Sequence, residues 1–387
     1  MSSPSWSAER LRDEIVRLGA RGLPREEFFA ELAPRLRRAV DNDASCWHTL
    51  DPQTRLMTAD APRELVERGI FSEDTVQAAG EALIRSEYLI EDVNTFASLA
   101  PRRVPVSTLE VATRGDPERS TRYRELLAPA GIPHELRAAF TIRGRVWGAV
   151  HIARRERSGA FSRGDVEVLN QVAPAIAQGI RASLRFDAAR RGSGAEPPGL
   201  VVLGADDEVE LVTEPARELL AALGNETTRS ESSLPSPVLA LASFVRRAEP
   251  GGEGNVVTVP SSAGWITLHA SRESASRGRI AIVIERASGS QSATLRLELQ
   301  GVTPREREVA TLLARGLANA EIAEALVLSP HTVQDHVKSL YEKVGVGSRQ
   351  ELVAHVFLDE YLPEVIVKTP LTSRGRFEQS PPAPEGV

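Results

Sequence analysis

The chain has 387 residues, a length that predicts two or three domains. Hydrophobic residues make up 41% and charged residues 26%, so each domain can bury a core. The single cysteine excludes a disulfide framework and multi-cysteine metal sites, and it fits a reducing cytosol. No stretch approaches the roughly 20 apolar residues of a membrane span, so we expect a cytoplasmic protein with no membrane partner. The net charge of -6 argues against indiscriminate nucleic-acid binding.

The basic residues are almost all arginine, since only Lys338, Lys343 and Lys368 are lysines. A P-loop needs a lysine to hold phosphates and a Schiff base needs a lysine amine, so both are excluded from the first 337 residues. The motifs HExxH and GxSxG are also absent. The sequence therefore predicts a protein that is not an enzyme and that carries no cofactor.

Two breaks in composition divide the chain. The runs 191–198 and 287–292 are rich in Gly, Ser and Pro, which do not continue helices or strands. They predict a multidomain protein with an α+β domain at 1–190, a small α+β domain at 198–287, an all-α domain at 293–365 and a disordered tail at 366–387.

The first domain is predicted to be a sheet covered by helices. Apolar residues at helical spacing predict the helices Ala8–Leu18, Arg25–Val40, Ser72–Ser86, Pro117–Leu127 and Arg163–Arg185. Alternating patterns predict a strand pair within Ser45–Thr58 and a hairpin, Glu135–Ala153, that turns at Arg143-Gly144.

The end of this domain resembles a GAF domain. In the segment 136–152 the Gly-x-hydrophobic-x-Gly pattern of that family is matched by Gly144, Val146 and Gly148, and 161–165 then leads into the long helix. The resemblance extends over 24–185. It implies a sensory module that binds a small-molecule signal or serves as a dimerising scaffold.

The second domain has the order strand, strand, helix and three strands, which resembles a PAS-like sensor fold. The predicted strands are Gly199–Gly204, Glu208–Val212, Asn255–Val259, Trp265–Ser271 and Arg279–Glu285, and Thr213 is predicted to begin the helix.

Two stretches of the first domain carry side chains with binding chemistry. Cys46-Trp47-His48 lies on a predicted strand, and Trp147 and His151 share one face of another. Trp47, His48, Trp147 and His151 are the candidate ligand pocket, although a buried core explains them as well. With one cysteine and no second pair of ligands, a packed strand is favoured over a metal site, so no metal is predicted.

Residues 303–357 carry start and stop signals for four helices. Thr303-Pro-Arg-Glu306 is a capping box with proline at the first helical position, and the helix ends at Gly316. Asn319 is predicted to cap the second helix, Ser329-Pro330 to begin the third, and Ser348-Arg-Gln-Glu351 to begin the fourth with Leu352, Val353 and Val356.

The second and third of these helices are joined by Val327-Leu328, a connection short enough to predict a helix-turn-helix. In that motif the third helix lies in the major groove of DNA. Its predicted buried stripe is Val333, Val337, Leu340, Tyr341 and Val344. The opposite face presents His331, Gln334, Asp335 and Lys338, which can hydrogen-bond base edges or phosphate.

This segment resembles the LuxR/FixJ-type DNA-binding domain. The matching motifs are Thr303–Glu306, Gly316–Ala323, Ser329–His336, Lys343–Val346 and Ser348-Arg349. The resemblance implies a transcriptional regulator that binds double-stranded DNA as a homodimer, with RNA polymerase as a possible further partner. The expected DNA-binding residues are Asn319, His331, Thr332, Gln334, Asp335, Lys338 and Arg349.

One departure from the family pattern weakens the expected affinity. Many members have a basic residue where this chain has Gln334-Asp335, and 301–358 carries a net charge of about -1. We therefore expect modest affinity that depends on dimerisation. Asp335 could accept a hydrogen bond from a cytosine amino group, or it could be repelled by phosphate and only restrict binding.

Other classes of protein remain open at this point. Residues 303–357 could be a structural four-helix domain, or a sigma-factor-like region, although the fourth helix argues against the latter. The front domains could instead form a cofactor- or ligand-binding signalling module in which DNA binding is secondary, or a ligand-free scaffold.

Overall fold

The structure is a computed structural model that describes residues 4–189, 197–223, 234–248, 255–261, 264–272, 278–287 and 295–353. The chain divides into two compact units, Met1–Arg286 and Ala287–Val387. The break predicted at 191–198 falls inside the first unit, and the break at 287–292 coincides with the division. The predicted tail at 366–387 lies outside the described residues, as do 191–196 and 288–292.

The first unit contains two antiparallel five-stranded sheets. The first is built from β1 (Ala44–Leu50), β2 (Met57–Ala61), β3 (Val106–Thr108), β4 (His134–Ile142) and β5 (Arg145–Arg154), in the order β2-β1-β5-β4-β3. The predicted strand pair and hairpin are confirmed. Arg143 and Gly144 both have positive φ, at 50° and 78°, as a tight turn between twisted antiparallel strands requires.

Helices cover both faces of this sheet. They are α1 (Pro4–Gly19), α2 (Arg25–Arg37), α3 (Arg63–Glu67), α4 (Glu73–Tyr88), α5 (Phe96–Leu99), α6 (Leu109–Thr113) and α7 (Arg163–Ala189). On the face of α7, Gly148 lets Ile180 approach the strand, because a Cβ there would lie 2.7 Å from Ile180 Cδ1. On the same face Phe29 of α2 stacks on Trp47.

The helix predicted at Pro117–Leu127 is not a regular helix. The segment forms a 3-10 turn at Pro117–Arg119 and a π-helical turn at Tyr123–Leu127. The Asp92 carboxylate accepts hydrogen bonds from the Arg122 backbone and the Ser120 hydroxyl, which fixes the chain between the two turns. The Arg122 side chain is fully buried and binds Glu135, a contact that a regular surface helix would not allow.

The second sheet follows the same plan. Its strands are β6 (Gly199–Leu203), β7 (Val209–Val212), β8 (Val256–Ser261), β9 (Gly264–Arg272) and β10 (Ile280–Arg286), in the order β7-β6-β10-β9-β8. All five predicted strands are confirmed. Numbered within each sheet, both orders are 2-1-5-4-3, and each sheet has helices between its second and third strands.

Two helices belong to the second sheet, α8 (Glu214–Leu223) and α9 (Ser236–Arg247). The sequence did not predict α9, which begins after Pro235 without a side-chain cap. Most of its residues are buried because it packs against α4 and β2 as well as the second sheet.

The two sheets share one core within the first unit. Apolar side chains from both form a continuous buried cluster. Polar contacts cross between them: the Ser236 hydroxyl donates to Asp60 at 2.8 Å, and Arg25 binds both Asp187 and the carbonyl of Pro260. Within the described residues, no helix is long and apolar enough to cross a bilayer.

The second unit is all-helical in its described part. It contains α10 (295–299), α11 (Pro304–Ala314), α12 (Asn319–Leu326), α13 (Pro330–Val344) and α14 (349–353). The four predicted helices are confirmed, α10 was not predicted, and Val356 lies outside the described residues. The prediction that Asn319 caps α12 is wrong: the N-cap is Ala318, whose N–H donates to Glu321 at 2.6 Å, and Asn319 is the first helical residue.

Candidate nucleic-acid interface and buried cavity

Local signals fix both ends of α13. The Ser329 hydroxyl accepts a hydrogen bond from the Thr332 N–H at 3.0 Å, and Pro330 occupies the first helical position. The helix ends at Gly345, which has a φ of 78°. One stripe of the helix is buried in the core of the unit, at Val333, Val337 and Leu340.

The opposite side of α13 faces solvent. His331, Gln334, Asp335 and Lys338 are all exposed, as their spacing predicted. Within this group, His331 Nδ1 lies 3.6 Å from an Asp335 carboxylate oxygen, and both side chains are mostly exposed. The four residues, called the reading face below, supply donors and acceptors that a DNA base edge or phosphate can meet.

The turn between α12 and α13 sets the angle of the reading face. Val327 ends α12 in the left-handed conformation, with a φ of 54°, and the Leu328 N–H donates to the Ala323 carbonyl at 2.8 Å. Arg305 of α11 donates to the carbonyl of Leu326. The left-handed residue and these two hydrogen bonds hold the short connection of a helix-turn-helix.

A buried ion pair joins α11 to the end of α13. Glu306 accepts from Lys343 Nζ, from the Ser339 hydroxyl at 2.7 Å and from the Thr303 N–H at 2.6 Å. Burial alone would raise the pKa of Glu306, but the hydrogen bonds from Lys343, Thr303 and Ser339 outweigh it and lower the pKa to about 2. In the sequence, Glu306 is part of a capping box and Lys343 is part of a family motif. The two residues are 37 positions apart, so local patterns did not predict that they pair.

The other predicted DNA-binding residues lie at the edges of the reading face or apart from it. Thr332 is half-buried in the first turn of α13, with its hydroxyl 2.8 Å from that of Ser329. Asn319 is half-exposed at the start of α12, near backbone N–H groups that suit a phosphate. Arg349 donates to the carbonyls of Leu313 and Leu317, at 3.3 and 2.6 Å, so its guanidinium holds the end of α11.

The first unit contains a buried cavity of about 60 Å³ against the first sheet. Cys46, His48 and His151 line it from the sheet, and apolar side chains of α4 and of the segment before α9 close it. The cavity has room for a few waters or a small ligand, since one water needs about 10–15 Å³. Two of the four predicted pocket residues, His48 and His151, are thus brought together, with ring centroids 5.3 Å apart.

The two tryptophans predicted for this pocket lie elsewhere. Trp47 points to the opposite face of the sheet, where it stacks between Phe29 and Phe140 at centroid distances of 5.7 and 5.8 Å. Trp147 is buried but does not line the cavity. It lies where the register between β4 and β5 is irregular, so simple alternation along β5 does not assign its face.

Buried charges surround the two histidines. Arg137 is directly opposite His151 on β4, is fully buried, and binds Glu87 of α4. Burial, followed by the charges of Arg137 and Arg122, lowers the pKa of His151 to about 3. Burial also lowers the pKa of His48, so both imidazoles are neutral at physiological pH. The site can therefore offer neutral nitrogen donors or acceptors to a ligand.

Comparison with known proteins identifies a family for part of the second unit. Residues 300–356 match the family described as bacterial regulatory proteins, luxR family. This segment is a LuxR-family helix-turn-helix domain. The LuxR-family match covers only this part of the chain, and the first unit is not included in it.

Curated relatives of the LuxR-family domain are regulators. The chain is 45% identical over 76 residues to the transcriptional regulatory protein UhpA of Escherichia coli, covering 20% of this chain and 35% of that protein. It is 40% identical over 91 residues to the tetrathionate response regulatory protein TtrR of Salmonella typhimurium, covering 22% and 44%. The matches thus span less than half the length of either relative.

Solved structures give only a distant similarity. The phage VqmA–DPO complex aligns with 50% of this chain and 95% of its own, at 20% identity and a TM-score of 0.19. The Vibrio cholerae VqmA dimer without target DNA aligns with 42% and 82%, at 20% identity and a TM-score of 0.17. Similarity at this level establishes no shared arrangement of the whole chain.

Proposed function

We propose that this chain is a transcriptional regulator that binds double-stranded DNA in a sequence-specific manner. The observation that carries the proposal is the reading face of α13, four exposed polar residues on a helix whose opposite side is fixed in a core. The relatives named as transcriptional regulators support it. In a helix-turn-helix this helix enters the major groove, where Gln334 and Lys338 meet base edges and phosphate.

The regulator is proposed to act as a homodimer. One recognition helix contacts only a few base pairs, and two helices related by two-fold symmetry read half-sites about one helical turn apart. Only Lys338 carries a positive charge on the reading face, and Asp335 opposes it. Because nonspecific attraction to phosphate is then weak, the second half-site is needed to reach useful affinity.

The first unit is proposed to be the sensor, with GAF-like and PAS-like halves. The buried cavity supports this role because its sheet side carries His48 and His151 and its other side includes Ser236 and Leu239 of α9. A ligand there would contact the first sheet and α9, which packs on the second sheet, and would shift the population of first-unit conformations that favour DNA binding. We expect the cavity to bind a small-molecule signal and not to catalyse a reaction. Contact with RNA polymerase is a further proposal.

Selection of duplexes from a random library tests the proposal. The full-length protein, Gln334→Ala, Lys338→Ala and the control Thr311→Ala, an exposed residue of α11, are compared. We expect the wild-type protein to select a two-fold symmetric site and Thr311→Ala to select the same site. Gln334→Ala should relax one position in each half-site, and Lys338→Ala should weaken all sites and lower the salt slope by about 1. If neither variant differs from wild type, the reading face does not contact DNA, and signalling by the cavity becomes the better account.

A further inference from the structure

Three metal-binding side chains meet on one face of the first sheet. Cys46 of β1 and His151 of β5 are direct cross-strand partners, and His48 is two residues along β1 and so points to the same side. One donor atom from each lies within 4.8 Å of the other two, and all three residues are buried. The sequence could not join them, because about a hundred residues separate β1 from His151.

Three of the four ring nitrogens of His48 and His151 lack a hydrogen-bond partner. Neither ring nitrogen of His48 has a hydrogen-bond partner, and Nδ1 of His151 has none. Both residues are more than nine-tenths buried and line the cavity. A buried polar group without a partner costs free energy, and an ion that binds one nitrogen of each ring would offset part of that cost.

We infer that Cys46, His48 and His151 bind a late first-row divalent metal ion, with Zn²⁺ as the best fit. Thiolate and imidazole are both common zinc ligands, and the borderline-soft Zn²⁺ ion accepts sulfur and nitrogen donors in one site. Donors of a tetrahedral zinc site lie roughly 3.5 Å apart, so small side-chain rotations close the set. Three protein ligands leave a fourth position, and the cavity has room beside them for a water or a small ligand.

Charges near the three side chains act in both directions. Zn²⁺ and the Cys46 thiolate leave one net positive charge, which the carboxylate of Asp60 in the cavity lining favours. Glu135 also lines the cavity, but it is paired with the buried Arg122, whose charge disfavours a cation. Asp60 is the cross-strand partner of His48. The guanidinium of Arg137, opposite His151, disfavours a cation, but Glu87 pairs with it. Binding also releases the Cys46 proton, so affinity for the metal rises with pH.

Cobalt substitution tests the site in the full-length, tag-free protein after treatment with a chelator. Cys46 is the only cysteine of the chain, so a thiolate-to-cobalt charge-transfer band can come from no other residue. We expect one equivalent of Co²⁺ to produce this band together with tetrahedral d–d bands, and Zn²⁺ to displace both. Cys46→Ser should abolish the charge-transfer band, and His48→Gln and His151→Gln should weaken Co²⁺ binding at least tenfold.

The matched control is His134→Gln, since His134 lies on the same sheet but binds Glu110 at 2.6 Å, away from the cavity. It should bind Co²⁺ as wild type does. A second measurement needs no variant: X-ray absorption of the Zn²⁺-loaded protein should show one sulfur and two imidazole scatterers. A folded wild-type protein without a charge-transfer band, or with only nitrogen and oxygen scatterers, would overturn the inference. These readouts involve no DNA, so they succeed or fail separately from the proposed function.

Discussion

Glu306 and Lys343 form a largely buried ion pair that ties α11 to the end of α13. Both carboxylate oxygens of Glu306 lie 2.5–2.6 Å from Lys343 Nζ. The Ser339 hydroxyl binds the same carboxylate. The angle between α11 and α13, and hence the position of the reading face, depends on this contact.

We predict that Glu306→Gln destabilises the second unit by about 2 kcal/mol at neutral pH, because it removes charge-assisted hydrogen bonds. The folded-state pKa of Glu306 is lowered from 4.5 to about 2, so its contribution is present above pH 4.5 and is lost as the pH falls toward 2. Urea unfolding of a 293–387 fragment, monitored by circular dichroism at several pH values from 7 to 2, measures the loss of stability and its dependence on pH. The exposed Glu308→Gln is the control, and equal losses from both variants would contradict the account.

Val327 is a strained residue in the turn before α13. It is 91% exposed and has a φ of 54°, a conformation unfavourable for a β-branched side chain. We predict that Val327→Gly stabilises the second unit by about 1 kcal/mol, after allowance for the greater chain entropy of glycine. Val346→Gly, at a half-buried valine that packs on the core, should destabilise it instead. A loss of stability in both variants, measured by urea unfolding, would show that the turn is not strained.

Gly148 and Gly80 should respond to alanine in opposite directions. A Cβ on Gly148 would lie 2.6 Å from the His48 carbonyl oxygen and 2.7 Å from Ile180, so Gly148→Ala should cost about 1–3 kcal/mol. Gly80 lies within α4 and has open space around it, so Gly80→Ala should stabilise by about 0.5–1 kcal/mol. Thermal unfolding of the first unit, monitored by tryptophan fluorescence, compares the stabilities of the two variants with that of the wild type. Equal changes of the same sign would refute the close contact between α7 and β5.

Asp335 is predicted to weaken DNA binding in general. It is exposed on the reading face, so Asp335→Asn removes a repulsion worth about 1 kcal/mol and should raise affinity for random-sequence duplex about fivefold. Fluorescence anisotropy at two salt concentrations measures this change. If Asp335 instead accepts from a cytosine amino group, Asp335→Asn lowers affinity for the selected site and leaves random duplex unaffected.

Local signals in the sequence predicted α13 well. Caps such as Ser329-Pro330 and Gly345, with apolar residues one turn apart, define α13 and its exposed face without long-range information. The strands of both sheets, except the three-residue β3, were predicted for the same reason, since alternation is local. Even so, Asn319 was misplaced by one position, because the Ala318 backbone bonded to Glu321 serves as the cap.

Contacts between distant residues could not be predicted in this way. The partnership of Cys46 with His151 depends on β5 pairing with β1, which local patterns do not specify. The Glu306–Lys343 pair and the burial of α9 depend likewise on packing between separate elements. Trp147 lies at an irregularity in the register and does not line the cavity, although strict alternation would have placed it there.

The most direct test of the central claim, that α13 reads DNA sequence, is a change of specificity. Library selection is repeated with Gln334→Arg, beside wild type and Thr311→Ala. Glutamine pairs with adenine and arginine with guanine in the major groove, so we predict one position per half-site to change from A to G with the rest retained. Selection of the same site by wild type and Gln334→Arg would contradict the claim.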